Sequence, residues 1–380
     1  MATARYNADE IQVLEGLEPV RLRPAMYIGS TDSRALEHML LEVVSNSIDE
    51  HISNHADQLS VSFDDEAVVV EDNGRGIPVE VMPLYGRSTL EALLTRLHSG
   101  ATFDDHQPHV HIRPGFHGVG LAIVNALSER FEADVHRDGG HHRIALSRGL
   151  VTEPFHRVGS STRTGTRIRY RADPEIFGSA RLDSSATLKR LRTLSWLTPD
   201  LTWTVQGQTT RSRGLVDCLV EEAGEALQPG SLVHVSYESP FGPEEENRYP
   251  TWPSRPGPTV QIDAVIGLSR AATAPRVFGF LNYAPLTEGS HVAGVIEGIE
   301  RAFPGGMPAL GPRIVAAIHL GLLHPDFEGP TRAGLHVPEV RHLIADALFQ
   351  SLSEASDTRI AWLAAARERR RGRGSEGRDS

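Results

Sequence analysis

From Ala35 to about His55, the apolar residues Leu36, Met39, Leu40, Val43, Val44 and Ile48 recur at three- and four-residue spacing. That period predicts a long amphipathic helix, one face of which has to be buried. The chain that follows, Leu59 to Val70, alternates and ends in a β-branched run. It predicts a hairpin of strands closing at Glu71-Asp72-Asn73-Gly74. Helix and strands together predict an α/β (α+β) chain.

The remaining pattern extends this reading. Arg21 to Ser30 reads as a loop punctuated by Pro24 and Gly29. Ser99 to Gly120 is loop-like, and a second helix begins at Leu121. Ala133 to Tyr170 is strand-like, with turns at Asp138-Gly139-Gly140 and Thr164-Gly165, followed by a helix with Leu188, Leu191 and Leu194 and a strand over Leu201 to Val205. The pattern breaks near Arg211 to Gly214, which gives an expected first domain of 1–213 and a second of 214–366. In the second, six prolines between Glu238 and Pro258 predict a surface loop without regular structure. Strands are predicted over 259–266 and 276–282, a helix over 294–303, and a buried strand over 314–322. Strand, crossover helix and strand imply a parallel or mixed sheet. Residues 340–366 are predicted helical, and 367–380 are expected to be a charged, frayed tail.

Composition excludes several classes. A length of 380 residues favours two domains. Charged residues at 23% and hydrophobic ones at 39% suit a folded globular chain. The net charge of −11 argues against a surface that binds nucleic acid throughout. Apolar runs such as Glu66-Ala67-Val68-Val69-Val70 fall far short of the roughly 20 residues of a membrane helix. Met1 to Glu10 lacks the apolar core of a signal peptide, and Cys218 is the single cysteine, so no disulfide framework or cysteine-rich zinc site can form within the chain. The expected compartment is the cytoplasm, with no membrane partner. Lys189 is the only lysine, so nearly all the basic charge is arginine.

Several clusters carry possible chemistry. On the predicted first helix, Glu42, Asn46, Asp49 and Glu50 form one polar stripe. A solvated helix face would also look like this. However, like charges repel unless a cation sits among them, and a mid-helix asparagine is a poor helix former. A carboxylate and an amide oxygen four residues apart suit an activated water beside magnesium, which takes few protein ligands. Asp72, in Asp72-Asn73-Gly74-Arg75-Gly76-Ile77-Pro78, is either an ordinary turn residue or a carboxylate emerging from a buried strand. In the second case it would accept from an exocyclic amine such as that of adenine. Pro114-Gly115-Phe116-His117-Gly118-Val119-Gly120 runs into a helix, a pattern that lets backbone amides approach an anion. It is neither a dinucleotide fingerprint, since Ile123 takes the third glycine's place, nor a Walker A loop. His106, His109 and His111 read as a polar lid rather than a zinc site. Metalloprotease and nucleophile-elbow signatures are absent.

In this order, the segments resemble the GHKL ATPase superfamily, and within it the B subunits of the type IIA DNA topoisomerases, DNA gyrase and topoisomerase IV. Gly16 to Ser30 is similar to the family's opening segment, Glu42 to Glu50 to its first ATP box, and Glu71 to Pro78 to its second. His117-Gly118-Val119-Gly120 with Val124 to Ser128 resembles the third box, and Thr164-Gly165-Thr166 the fourth. Glu288 to His291 and Pro325 to Gly329 resemble the transducer. The resemblance implies a Bergerat-type ATPase sandwich followed by a smaller α/β transducer domain.

It also implies roles. Glu42 would be the general base, and Asn46 would coordinate Mg²⁺ bridging the phosphates of ATP. Asp72 would accept from the adenine amine, supported by Thr166. Arg75, Gly76 and Pro78 would flank the base, with Arg75 pairing with Glu50. Phe116, His117, Gly118, Val119 and Gly120 would cradle the phosphates. Tyr6 would lie on an arm that covers a partner's nucleotide, making an ATP-dependent homodimer that gates a DNA duplex. Pro330-Thr331-Arg332 stands where the family carries Gln-Thr-Lys, so Arg332 would meet the γ-phosphate with a planar fork in place of a point charge. Arg113-Pro114 replaces a serine and a glycine, which predicts a stiffer lid. No Toprim-like segment or cleavage tyrosine follows, so DNA cutting would need a separate cleavage and religation subunit. The other reading of these departures is a stand-alone paralogue, a nucleotide-gated regulatory dimer with weak or no ATPase.

Overall fold

The computed structural model describes residues 14–65, 67–83, 85–97, 119–228, 230–240, 259–303, 310, 313–322, 325, 327–328, 334–355 and 362. The chain divides into two compact units, Met1–Arg192 with Asp200–Arg211, and Thr193–Pro199 with Ser212–Ser380.

In the first unit, α1 (Glu18–Leu22) and α2 (Ala25–Ile28) occupy the stretch expected to be a loop. The reason lies in the prolines. Pro19 sits in the first turn of α1, and Pro24 precedes α2 with helical angles (φ −59°, ψ −36°), so each starts a helix where it was read as a break. Next comes α3 (Ser33–Ile52), capped by the Asp32 carboxylate, which accepts from the Arg34 amide at 3.0 Å. Its predicted apolar face is buried in full.

β1 (Gln58–Phe63) and β2 (Val68–Asp72) pair antiparallel, with Leu59 opposite Asp72 and Phe63 opposite Val68. Their turn therefore lies at 64–67, and the Asp72 stretch is at the far end of β2. A small hairpin, β3 (Val81–Met82) and β4 (Arg87–Ser88), leads into α4 (Thr89–Thr95). Then follow α5 (Gly120–Ala126), β5 (Ser128–Arg137), β6 (Gly140–Ser147), β7 (Leu150–Ser160), β8 (Gly165–Ala172), α6 (Pro174–Phe177), α7 (Ser184–Leu197, from Thr193 on part of the second unit), β9 (Thr202–Val205) and β10 (Gln208–Arg211). One eight-stranded sheet runs β10-β9-β1-β2-β8-β5-β6-β7, antiparallel except where β9 joins β1. Strand β10 escaped the sequence reading because all four of its residues are exposed, so no buried alternation marks it.

Alternation assigns the two faces. Val68 and Val70 of β2 share a buried side with Leu59, Val61 and Phe63 of β1 and with Ile168 and Tyr170 of β8. Asp72 falls on this same side. On the opposite side Glu71, Glu132 and Asp134 alternate with Arg163, Arg167, Arg169 and Arg143 in a cross-strand ladder of ion pairs.

The second unit holds α8 (Leu215–Ala223), β11 (Val233–Pro240), β12 (Thr259–Leu268), β13 (Arg276–Leu281), β14 (Ala284–Pro285), β15 (Glu288–Gly289), α9 (Ser290–Ala302), β16 (Ile314–Gly321), β17 (Phe327–Glu328), β18 (Gly334–Leu335) and α10 (Pro338–Glu354). Its main sheet runs β11-β12-β16-β13-β14. Strands β13 and β16 are parallel across the crossover helix α9, and the other pairs are antiparallel, so the sheet is mixed as the strand–helix–strand order implied. Ile262, Ala264 and Ile266 of β12 and Ile314, Ala316 and Ile318 of β16 form one core with Val295 and Ile299 of α9 and Ile344 and Leu348 of α10.

Two expectations need correction here. Residues 238–240, assigned to the proline-rich loop, complete β11; this is an edge strand, where Pro240 need not break the ladder. Helix α10 ends at Glu354, with Ala355 outside it and Ser353 turning its hydroxyl back onto the Phe349 carbonyl at 2.6 Å; of the rest of the expected 340–366 helix, only Trp362, itself helical, lies among the described residues. Beyond it, Trp362 is fully buried, stacks on Phe303 at 5.4 Å and donates its indole N–H to the Ser231 carbonyl at 2.8 Å.

Candidate functional site

Asp72 ends β2 on the buried side of the sheet, and its carboxylate is closely bound. Oδ2 accepts from the Ser47 hydroxyl at 2.7 Å, and Oδ1 accepts from the amides of Gly74 at 2.9 Å and Thr166 at 3.3 Å. Burial pushes its pKa up in spite of these bonds. The Thr166 hydroxyl accepts from the Ile77 amide at 3.1 Å, which ties the turn after Asp72 to the start of β8. That approach depends on Gly165. Its φ is +131°, and a Cβ there would collide with the Asp72 carbonyl. Ser47 was missed at the sequence level. Its signal was position: it falls on the buried face of α3, where a hydroxyl needs a partner.

Across from Asp72 runs the polar stripe of α3, and two basic side chains, His38 and Arg75, sit against it. His38 Nε2 lies 3.0 Å from Glu42 Oε1, one helical turn away. The hydrogen bond from Glu42 raises the His38 pKa. Arg75 meets Glu50 three times, by its amide at 2.9 Å, Nε at 3.1 Å and Nη2 at 2.7 Å. Burial works to raise the Glu50 pKa, but the bonds from Arg75 overcome it, and the net shift is downward. Asn46 donates its side-chain N–H to the Glu42 carbonyl at 2.6 Å, which commits the nitrogen and leaves the amide oxygen as a ligand.

The third side is the start of α5. Val119 precedes the helix, and its carbonyl accepts from the Ile123 amide at 2.9 Å. Gly120 stands directly against Glu42; a Cβ there would overlap carboxylate Oε2. Gly76 offers its carbonyl to Arg137 Nη1 at 2.8 Å, and Pro78 is exposed beside it.

Contacts therefore link Glu42 to Gly120, Glu50 to Arg75, and Asp72 to Thr166, with Asn46 on the turn of α3 between Glu42 and Glu50. Tyr6, Phe116, His117, Gly118 and Arg332 lie outside the described residues, as do the histidines at 106, 109 and 111 and the departures at Arg113-Pro114 and Pro330. A cavity of about 360 Å³ between Leu36, Phe63, Val68, Tyr170 and Phe177 shares no residue with this cluster. Among the described residues, no group of three or more His, Cys, Asp or Glu could hold a metal, and no helix is long and apolar enough to cross a membrane.

Comparison with known proteins bears on this geometry. Residues 31–176, which include α3, the Asp72 turn and Thr166, match the family of histidine kinase-, DNA gyrase B-, and HSP90-like ATPases. These residues are a domain of that ATPase family. Around and beyond the ATPase domain, the chain is 34% identical over 372 residues to the B subunit of DNA gyrase from Thermus thermophilus, covering 92% of this chain and 56% of that relative. It is 46% identical over 198 residues to the gyrase B subunit of Thermotoga maritima, covering 52% of this chain and 31% of the relative. The chain thus spans about half the length of the first of these relatives and less of the second. In fold it matches the 43K ATPase domain of Thermus thermophilus gyrase B, solved in complex with an aminocoumarin. The TM-score is 0.74 at 28% identity, over 95% of this chain and 97% of that one.

Proposed function

We propose that this chain binds ATP with magnesium and hydrolyses it, as the ATP-driven module of a type II DNA topoisomerase of the gyrase B kind. The observation that carries the reading is Asp72, a half-buried carboxylate held by Ser47, Gly74 and Thr166 within the ATPase domain. An ionised carboxylate only accepts. Oδ1 already takes two amides, whereas Oδ2 takes only Ser47, so Oδ2 is the atom free to receive the adenine amine. Guanine would place a carbonyl oxygen there and be repelled.

At the phosphate end, Glu42 is the general base. His38 occupies Oε1, which leaves Oε2, facing Gly120, to take the proton from the attacking water. Backbone from 116 to 120 cradles the phosphates. Phosphoryl transfer asks the protein mainly for positioning and charge stabilisation. The residues fit magnesium: with its nitrogen bonded to Glu42, Asn46 presents one hard oxygen, and magnesium fills its other positions with water and phosphate. When bound, the ion would neutralise phosphate charge.

Arg332 contacts the γ-phosphate in this reading. Tyr6 lies on the arm that covers the nucleotide of a second copy, closing a homodimer around a DNA duplex. Cleavage and religation belong to a separate region or polypeptide, and the setting is the cytoplasm. The test is steady-state ATPase with and without duplex DNA. DNA-stimulated turnover is expected. Tight nucleotide binding with no turnover would replace this reading with that of a nucleotide-gated regulatory dimer.

A further inference from the structure

The short helix α5 has a charged group at each end, and the two ends lie in different settings. Its N-terminal end, Gly120, abuts the Glu42 carboxylate. At its C-terminal end, the Ala126 carbonyl accepts from Arg21 Nη1 at 2.8 Å. The same guanidinium gives Nη2 to Asp173 Oδ2 at 2.7 Å. Asp173 has no exposed side-chain surface, and its amide donates to the Leu127 carbonyl at 2.9 Å. A second arginine, Arg148, also binds Asp173, with Nε 2.8 Å from Oδ2 and Nη2 3.4 Å from Oδ1, and its guanidinium otherwise meets Glu175 and not the helix. Two cations thus share one buried carboxylate, and only one of them also grips α5.

This arrangement has a mechanical consequence. A helix of this length is a rod of roughly 10 Å. A planar fork serving two acceptors at once fixes direction as well as distance. Shifting α1, which carries Arg21, would strain both bonds, and the displacement would pass along the rod to Gly120. We infer that Arg21, braced by Asp173, is a positioning residue for ATP hydrolysis, setting where Gly120 stands against the base Glu42. The inference rests on the reading of Glu42 as the general base. A cation at the C-terminal carbonyls also suits the helix dipole, but that alone would matter for stability and not for rate.

The experiment compares Arg21→Gln with Arg148→Gln, measuring kcat, KM, nucleotide affinity by calorimetry, and Tm. Both variants remove one partner of Asp173, so both should lower Tm. Only Arg21→Gln should lower kcat, by roughly tenfold, since a small misplacement of reacting groups is costly. Its nucleotide affinity should stay within about threefold of wild type, because the lost interaction acts in the transition state. Arg21→Lys, unable to serve both acceptors as a fork, should fall between. Wild-type kcat in Arg21→Gln, or an equal loss in Arg148→Gln, would overturn the inference alone. A wild-type chain with no ATP turnover would overturn the functional reading and this inference with it.

Discussion

His38 and Glu42 face one another a single turn apart on α3, with the imidazole Nε2 3.0 Å from carboxylate Oε1. The pair decides which oxygen of Glu42 can work. Oε1 is tethered, and Oε2 points at the first residue of α5. A carboxylate with one oxygen fixed and the other free is oriented without being neutralised.

Glu42→Gln keeps the shape and loses the basicity. We expect nucleotide affinity close to wild type and a kcat lower by about a hundredfold or more. Calorimetry and single-turnover hydrolysis check this. Unchanged turnover removes Glu42 from its role.

The bond to Glu42 raises the His38 pKa. For a histidine raised in the folded state, the associated stability is complete below the unfolded value and fades as pH climbs through the folded one. Wild type should therefore exceed His38→Ala in Tm most clearly at about pH 5 to 6, below the ordinary histidine value. The gap should shrink toward alkaline pH. Thermal melts across that range check the sign, and a gap that grows with pH contradicts it.

Gly120→Ala separates stability from activity. Alanine is the better helix former by up to about 1 kcal/mol, so Tm should hold or rise. Its methyl group would displace the end of the Glu42 side chain and break the link to His38, so kcat should fall about tenfold or more. Melting and turnover on one preparation suffice.

In the second unit, Trp362 anchors chain beyond α10. Trp362→Ala should cost about 3–5 kcal/mol of that unit's stability through the cavity it leaves. Trp362→Phe keeps the stack on Phe303 but loses the bond to Ser231, at about 1 kcal/mol. Denaturant melts of both variants check the ranking.

Much of the site was legible because its residues broke a local rule. Glu42, Asn46 and Glu50 put repelling charge and a poor helix former on one stripe, and Asp72 ended an apolar strand. Ser47 and His38 broke no rule: a serine beside an apolar face and a histidine on a polar one are ordinary, and only the fold brings Ser47 to Asp72. Elements without a buried face were equally silent. The exposed strand β10 gave no alternation, and α1 and α2 were hidden by prolines that start helices as readily as they end them. The break after Glu354 was hidden because the apolar periodicity runs on past it.

The most direct test of the central claim is calorimetric titration of ATP with magnesium into wild type and Asp72→Asn, with GTP as the competitor base. Asparagine replaces an acceptor oxygen with a donor, so binding should weaken by roughly a hundredfold. Wild type should bind ATP and not GTP. Equal affinity of both proteins for ATP, or equal affinity of the wild type for ATP and GTP, would contradict the assignment of Asp72 as the residue that reads adenine.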